Sequence, residues 1–422
     1  MDDTAVERGH FIPFRMADTV RLCLARDGLN EEDEQLFRRV CLLLTRYYHL
    51  HFHEKLKTLK ECYAPFNPDV DTLPIESCSP RNIKERQKQL VDILSGIVSA
   101  ANFKIVTQAD LDHAFAEESL FNIRLEVDFN DFEQILFYRR GESRRKVEVK
   151  TWFGLSSKTV EFTNYDRVLI YVKFKEASFF KDKEIEDLFF TPGTTMIKLF
   201  RNIPRADLEM LFPNTLVAMK VRDKIMIGVP AAVSGALVLV TKLGSTLVLV
   251  GALLAFWLGA SDKPVLIDQA ALLALAAGVG ALVAYIWKQF SSFKNRKIRF
   301  MKTLADSLYF KNLDNNAGVF HRLVDAAEES ECKEVLLAYY SLLTSGDGLT
   351  ATELDSAIEQ WLLEYGGNNV DFEVDDAVGK LLKLGLVERV GDKLQAVALD
   401  QAITQMEQSC NDLILEDAAS QW

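Results

Sequence analysis

Apolar residues recur three and four positions apart through NEEDEQLFRRVCLLLTRYYHLHFHEKLKTLKEC (30–62), a spacing that collects them on one face of a long helix. Asn30 caps its start and acidic residues fill its first turn. RNIKERQKQLVDILSGIVSAAN (81–102) repeats the period. TQADLDHAFAEES (107–119) forms a third helix with Thr107 as cap. Between 121 and 175 the period falls to two. IRLEVDF, QILFYRRG, RKVEVKTWFG, KTVEFT and RVLIYVKFK predict four or five short strands joined by polar or Gly-containing turns. Such a meander with helices on one face is an α+β region. RRGESRR (139–145) is then an exposed hairpin tip whose arginines meet solvent or anionic lipid. IPRADLEMLFP adds a short amphipathic helix with Arg205 and Asp207 near its start.

Farther along, the polar face disappears. From 225 to 260 only Lys242 is charged, and from 265 to 287 only Asp268. Runs of this length match a hydrocarbon core of about 30 Å. The basic flanks VAMKVRDK (217–224) and KQFSSFKNRKIRFMK (288–302) belong on one side, which requires an even number of crossings. The simplest expectation is a transmembrane hairpin with spans at 243–260 and 265–287, and with 225–241 interfacial or re-entrant. Lys242 anchors at the inner interface, or lines a polar path with Asp268. Three crossings rank lower, because they put one basic flank outside.

The last third returns to amphipathic patterns. Helices run through 303–345 and break at NLDNNAG, where turn and cap residues cluster; Asp314, Asn316 and His321 are weak functional candidates there. Residues 350–400 resemble a winged helix: two helices, then the hairpin LVERVGDKLQAVA turning at Gly391-Asp392. An acidic helix or tail fills 401–422. The expected fold class is therefore an α+β membrane protein. A helical part (1–120) leads to a β meander with amphipathic linker (121–220) and a membrane hairpin (225–287). A basic juxtamembrane and helical segment (288–345) then precedes the winged-helix-like domain.

Charge sharpens the picture. The net charge of −12 divides into −4 over 1–219, +8 over 220–302 and −16 over 303–422. The basic centre suits anionic headgroups near Lys288, Lys294, Arg296, Lys297 and Arg299, whereas the acidic end argues against nucleic acid and for a protein partner or self-association. The six widely spaced cysteines read as reduced thiols rather than a disulfide framework or zinc site. His49 and His53 share a helix face without completing a ligand set, so no metal or cofactor is expected. MDDTAVERGHFIPF is acidic and lacks an apolar signal core, so membrane entry is expected from internal segments.

HFIPF (10–14), FHEKLKTLKECYAPFNPD (52–69), VDFNDFEQILFYRRG (127–141), VEVKTWFGL (147–155), KLFRNIPRADLEMLFP (198–213) and SLYFKNLDNNAGVFHRL (307–323) together resemble the transmembrane protein 143-like family of membrane proteins of unknown function. The resemblance implies a double-span membrane protein and no catalytic residues. Without a mitochondrial presequence, the form it implies is a bacterial inner-membrane protein with both termini cytoplasmic. No nucleophile, metal or phosphate-loop motif appears. The leading functional expectation is accordingly a membrane-anchored interaction or sensor protein rather than an enzyme. An oligomeric transport pathway and a lipid-directed enzyme using Arg201, Arg205 and Asp207 are the alternatives.

Overall fold

The computed structural model describes residues 9–26, 28–70, 72, 80–107, 109–111, 124–151, 156–180, 190–218, part of 251–311, 312–366 and 370–420. The chain divides into two compact units, one built from 1–117, 129–208 and 311–422, the other from 118–128 and 209–310.

In the first unit the described helices include α1 (Met16–Leu24), α2 (Glu31–Tyr63), α3 (Pro80–Ala100), α4 (Ala317–Ser345), α5 (Ala351–Glu364), α6 (Val374–Lys383) and α7 (Leu399–Ser420). The Asn30 side chain accepts a hydrogen bond from the Asp33 amide, and four acids in the first turn complement the dipole of α2. At the other end of the unit, Thr350 and Glu353 form a reciprocal capping box that starts α5. α4 packs against α1, α2, α3, α5 and α6, and its residues from Ser330 to Tyr340 are all buried. A helix enclosed on all sides is apolar all round. The first half of α4 exposes His321, Arg322 and Asp325, whereas its enclosed stretch from Ser330 to Tyr340 is apolar except at one charged turn, Ser330–Glu334.

The five-stranded antiparallel sheet of this unit has the order β1-β3-β4-β5-β7, with β1 at Lys104–Ile105, β3 at Phe132–Thr151, β4 at Ser156–Phe174, β5 at Thr195–Pro204 and β7 at Asn312–Asn315. Val168 to Val172 are all buried, so β4 is covered on both faces; Leu169 and Tyr171 join Ile197 and Leu199 of β5 in the core shared with the helices. Tyr63 at the end of α2 donates to the Thr195 carbonyl (2.7 Å), and Ser95 of α3 bonds Tyr138 (3.0 Å), tying both helices to the sheet. A small hairpin, β8 (Val387–Val390) and β9 (Lys393–Ala396), follows α6, and Leu349 bridges Leu394 beside it. In the second unit, β2 (Arg124–Glu126) pairs antiparallel with β6 (Leu216–Ala218), and Asn214 donates to the Asp128 carbonyl (2.7 Å).

Two expectations are corrected here. The several short strands between 132 and 174 are two long ones, which pair from Phe132 opposite Phe174 to Thr151 opposite Ser156. RRGESRR is mid-strand, not a tip. Gly141 takes a φ of 71° without interrupting the register, and the arginines are used internally. Arg139 donates to Glu142 (2.7 Å) and lies over the Tyr165 ring, while Arg145 donates to Asn202 (3.2 Å). Arg140 donates to the Ala101 carbonyl (3.0 Å) between the rings of Phe11 and Phe103, and burial lowers its pKa to about 10.

The second correction concerns the membrane. Among the described residues no helix is long and apolar enough to cross a bilayer. The long helices α2 and α4 carry charges along their length, from the acids of the first turn of α2 to Glu328, Glu331 and Lys333 in α4. The α+β membrane fold is therefore not supported, nor is the inner-membrane location with both termini cytoplasmic; the described chain is a mixed helix-and-sheet protein. The expected spans at 243–260 and 265–287, and the 225–241 segment, fall mainly outside the described residues.

Gly141 yields a test of the long hairpin. A Cβ added there would lie 2.9 Å from the Asp166 Cβ, and its φ is one that L side chains rarely adopt. Gly141→Ala is expected to cost about 1–3 kcal/mol, read as a lowered urea midpoint; an unchanged midpoint would place a different backbone at 141.

Candidate functional site

The charged turn of α4 meets a different neighbour with each side chain. The Lys333 ammonium is fully buried and donates to the carbonyls of Ile12 (3.0 Å) and Phe14 (2.8 Å), fastening the segment ahead of α1. Burial lowers its pKa, Glu329 at 3.8 Å working in the opposite direction. Glu334, 4% exposed, accepts from Asn102 (3.0 Å) and Ser330 (3.2 Å). Asn102 can reach it because it closes α3 in the left-handed region, φ 60°, from where it also donates to Ser330 and to the His10 carbonyl. Lys380 of α6 then brings its ammonium between Glu331, Asp376 and, at 3.6 Å, Glu334.

Helix geometry places these groups. Glu331 and Glu334 are three apart on α4, and Asp376 and Lys380 four apart on α6, so each pair shares a face. Ala377, Val378 and Leu381 bury the apolar face of α6, leaving its charged side to meet the acids of α4. Burial raises Glu334 to about 7, with Lys380 opposing, and raises Glu331 in the same manner. Burial works against the Lys380 charge, but Glu331 and Glu334 outweigh it and hold its pKa above the ordinary lysine value.

These groups form one wall of a cavity of about 800 Å³ between α2, α3, α4 and α6, within the size range of small-molecule sites. Tyr47, Tyr48, His51, Phe52 and Lys55 contribute from α2, Ser99 and Asn102 from the end of α3, and Phe372 to Lys383 from the start and polar side of α6. The His51 ring stacks on Tyr47 at an interplanar angle of 3°; burial, with Lys55 and Lys383 nearby, lowers its pKa to about 4. Glu331, Glu334 and Asp376 offer oxygens within 4.8 Å of one another, a set able to hold a cation; the Lys380 ammonium fills that role within the chain.

The sequence candidates lie elsewhere. His49 bonds Glu328 (3.2 Å) and His53 is exposed, so the three histidines do not converge. Arg201 is exposed on β5 opposite Arg167, and Arg205 and Asp207 lie in the 3-10 turn Arg205–Leu211, where Asp207 is buried and favours the charge of Lys311. Asn316, at φ 49°, serves as a joint. Its amide donates to the Ile197 carbonyl (2.6 Å), its side-chain oxygen accepts from the Ile197 amide (3.1 Å), and its side-chain nitrogen donates to Asp69. Asp314 accepts from Arg322 (2.8 Å) and His321 is exposed on α4. Lys288 and Lys294 are exposed helical residues; Lys242, Asp268, Arg296, Lys297 and Arg299 lie outside the described residues.

Residues 165–318 match the model of a family described as a protein of unknown function (DUF3754). No solved structure matches the chain. Nothing found points to the transmembrane protein 143-like family, so the double-span architecture which that resemblance implied is not carried forward. The matched stretch contains Arg201, Arg205, Asp207, Asp314 and Asn316, whereas every residue lining the cavity falls outside it.

Glu334 makes stability depend on pH in a defined direction. The unfolded chain releases this proton near 4.5 and the folded chain near 7, so in between the folded state holds more protons and stability falls as pH rises. Glu334→Gln keeps the acceptor for Asn102 and Ser330 and removes that fall, on the order of 1–3 kcal/mol. What remains is the opposite slope of His51, whose lowered pKa makes stability rise between about 4 and 6.5, set against the fall that the raised Glu331 still contributes. Urea unfolding of both proteins from pH 4.5 to 7.5 checks this; parallel profiles would refute it.

Proposed function

We propose that this protein is a ligand-responsive interaction protein. A small molecule enters the cavity, and the segment from 349 to 396, two helices and a hairpin, transmits its presence to a protein partner. The observation carrying this reading is the cavity wall itself. α6 is held to α4 by Ala377, Val378 and Leu381, while Asp376, Lys380 and Lys383 on its polar side line the cavity. A ligand that competes for Lys380 or its carboxylates changes the contacts fixing α6. Occupancy is thereby coupled to the position of one element, as a two-state response requires.

The winged-helix pattern of 350–400 fits a protein partner better than nucleic acid. The side of α6 that would contact a groove carries Asp375 and Asp376 beside its two lysines, within a third of the chain of net charge −16. A second reading, an enzyme with Glu334 as general acid or base, is favoured by its pKa of about 7, the range such a group needs at neutral pH. The transport and lipid-enzyme alternatives both depend on the membrane fold corrected above.

A fragment mixture of mixed charge, followed by 13C-methyl NMR on the full chain, tests the reading. Saturable shifts at the cavity methyls of Val374 and Leu384, with altered amide exchange through 349–396, are expected. If no fragment moves those methyls, the proposal fails.

A further inference from the structure

The cavity lining is unevenly committed. Its carboxylates are mostly engaged within the chain: Glu331 and Asp376 by Lys380, Glu334 by Asn102, Ser330 and Lys380, and Glu373 by His10 at 3.5 Å, with Asp375 exposed on the rim. The remaining ammonium groups are not. Among the described residues neither Lys55 nor Lys383 has a carboxylate at ion-pair distance; the contact of Lys55 is the Phe52 ring, 4.9 Å from its nitrogen. Glu331 acts on Lys55 at longer range, but its carboxylate is bound to Lys380.

Lys55 and Lys383 come from helices more than 300 residues apart in sequence and line the same cavity. Lys55 is half-buried, and its pKa is lowered by burial and by Lys383 and Lys380. Two like charges brought together in a partly desolvated site repel each other and cost stability. An anion between them converts that repulsion into two charge-assisted hydrogen bonds. His51, between the same two lysines in its electrostatic surroundings, is neutral above about pH 4 and offers one ring N–H donor and a flat face.

We propose that Lys55 and Lys383 are the anion-holding wall of this cavity, and that its ligand is a small organic molecule bearing a phosphate or carboxylate group. This deepens the ligand-responsive reading and rests on it. The anionic group sits at the two lysines and His51, and the remainder of the ligand lies along Tyr47, Tyr48 and Phe52. Binding neutralises the wall facing α6 and draws Lys383, at the end of that helix, towards α2.

The test uses the full chain and the same Val374 and Leu384 methyls, titrated separately with pyrophosphate, citrate and a neutral fragment of similar size. Pyrophosphate or citrate is expected to give saturable shifts at millimolar or lower concentration. Binding should weaken at least tenfold in Lys55→Met/Lys383→Met and be unchanged in Lys84→Ala/Lys88→Ala, which removes two exposed charges on α3 away from the cavity. If the double variant does not fold, Lys383→Glu at an exposed position supplies the same reading by charge reversal. Pyrophosphate alone or citrate alone identifies the anion class. Neutral fragments shifting the methyls while both anions do not would overturn the anion wall and leave the cavity reading standing. Anion binding unaffected by the lysine variants would overturn the assignment to these residues. Silence with every probe would overturn both.

Discussion

The described architecture of the first unit depends on one awkward constraint: α4 is enclosed by other helices yet carries Glu331, Lys333 and Glu334 in a single turn. Burying a charge without a partner costs several kcal/mol. Each of these groups must therefore find a counterpart on a different element. Lys333 takes two carbonyls of the segment at 12–14, Glu334 takes the left-handed Asn102 at the end of α3, and Glu331 takes Lys380 of α6. Apolar packing brings those elements near α4, but it is not directional. The charged turn fixes which residue of each lies where.

The same turn creates the candidate site. α6 buries a narrow apolar stripe, so its polar side must go to solvent or to the acids of α4. Lys380 takes the second course, at the edge of the cavity. Its ammonium satisfies a carboxylate trio that could equally take a cation, while Lys55 and Lys383 face the same space without such satisfaction. An arrangement with one half of its charge neutralised internally and the other half open suits reversible occupancy. Removing a partner from a buried charge pair is costly, so a ligand that engages this wall acts on the contacts that hold α6.

Local chemistry was legible in the sequence, whereas long-range convergence was not. Asn30 and the acids after it, with apolar residues three and four apart, specified α2 nearly to its ends, Glu31–Tyr63. The turn residues at Gly391-Asp392 and the two helices ahead of them were equally readable. RRGESRR misled because glycine among charged residues has the composition of a turn; here Gly141 takes a positive φ within a continuous strand, and Arg139, Arg140 and Arg145 donate to Glu142, Ala101 and Asn202. NLDNNAG looked like a loop with candidate ligands, but Asn316 imitates a strand backbone against Ile197 and is a joint. The apolar pattern at 225–287 read as a membrane hairpin, an architecture the described helices do not support. The cavity left a fainter signal. Charged SECKE (330–334), preceded by Glu328 and Glu329, leads straight into apolar VLLAYY (335–340), so charges and core residues share one helix. The sequence could not show that Asn102, Lys380 and His51 meet there, because those contacts span up to 330 residues.

The most direct test of this account is a double-mutant cycle between Glu331→Gln and Lys380→Met, with stability measured by urea unfolding at pH 7.5. If the charged turn of α4 positions α6, the two substitutions are coupled by more than about 1 kcal/mol, the double variant being less destabilised than the sum of the singles. Additivity within about 0.5 kcal/mol would show that α6 is held by its apolar stripe alone, and would contradict the central role given to the buried charges.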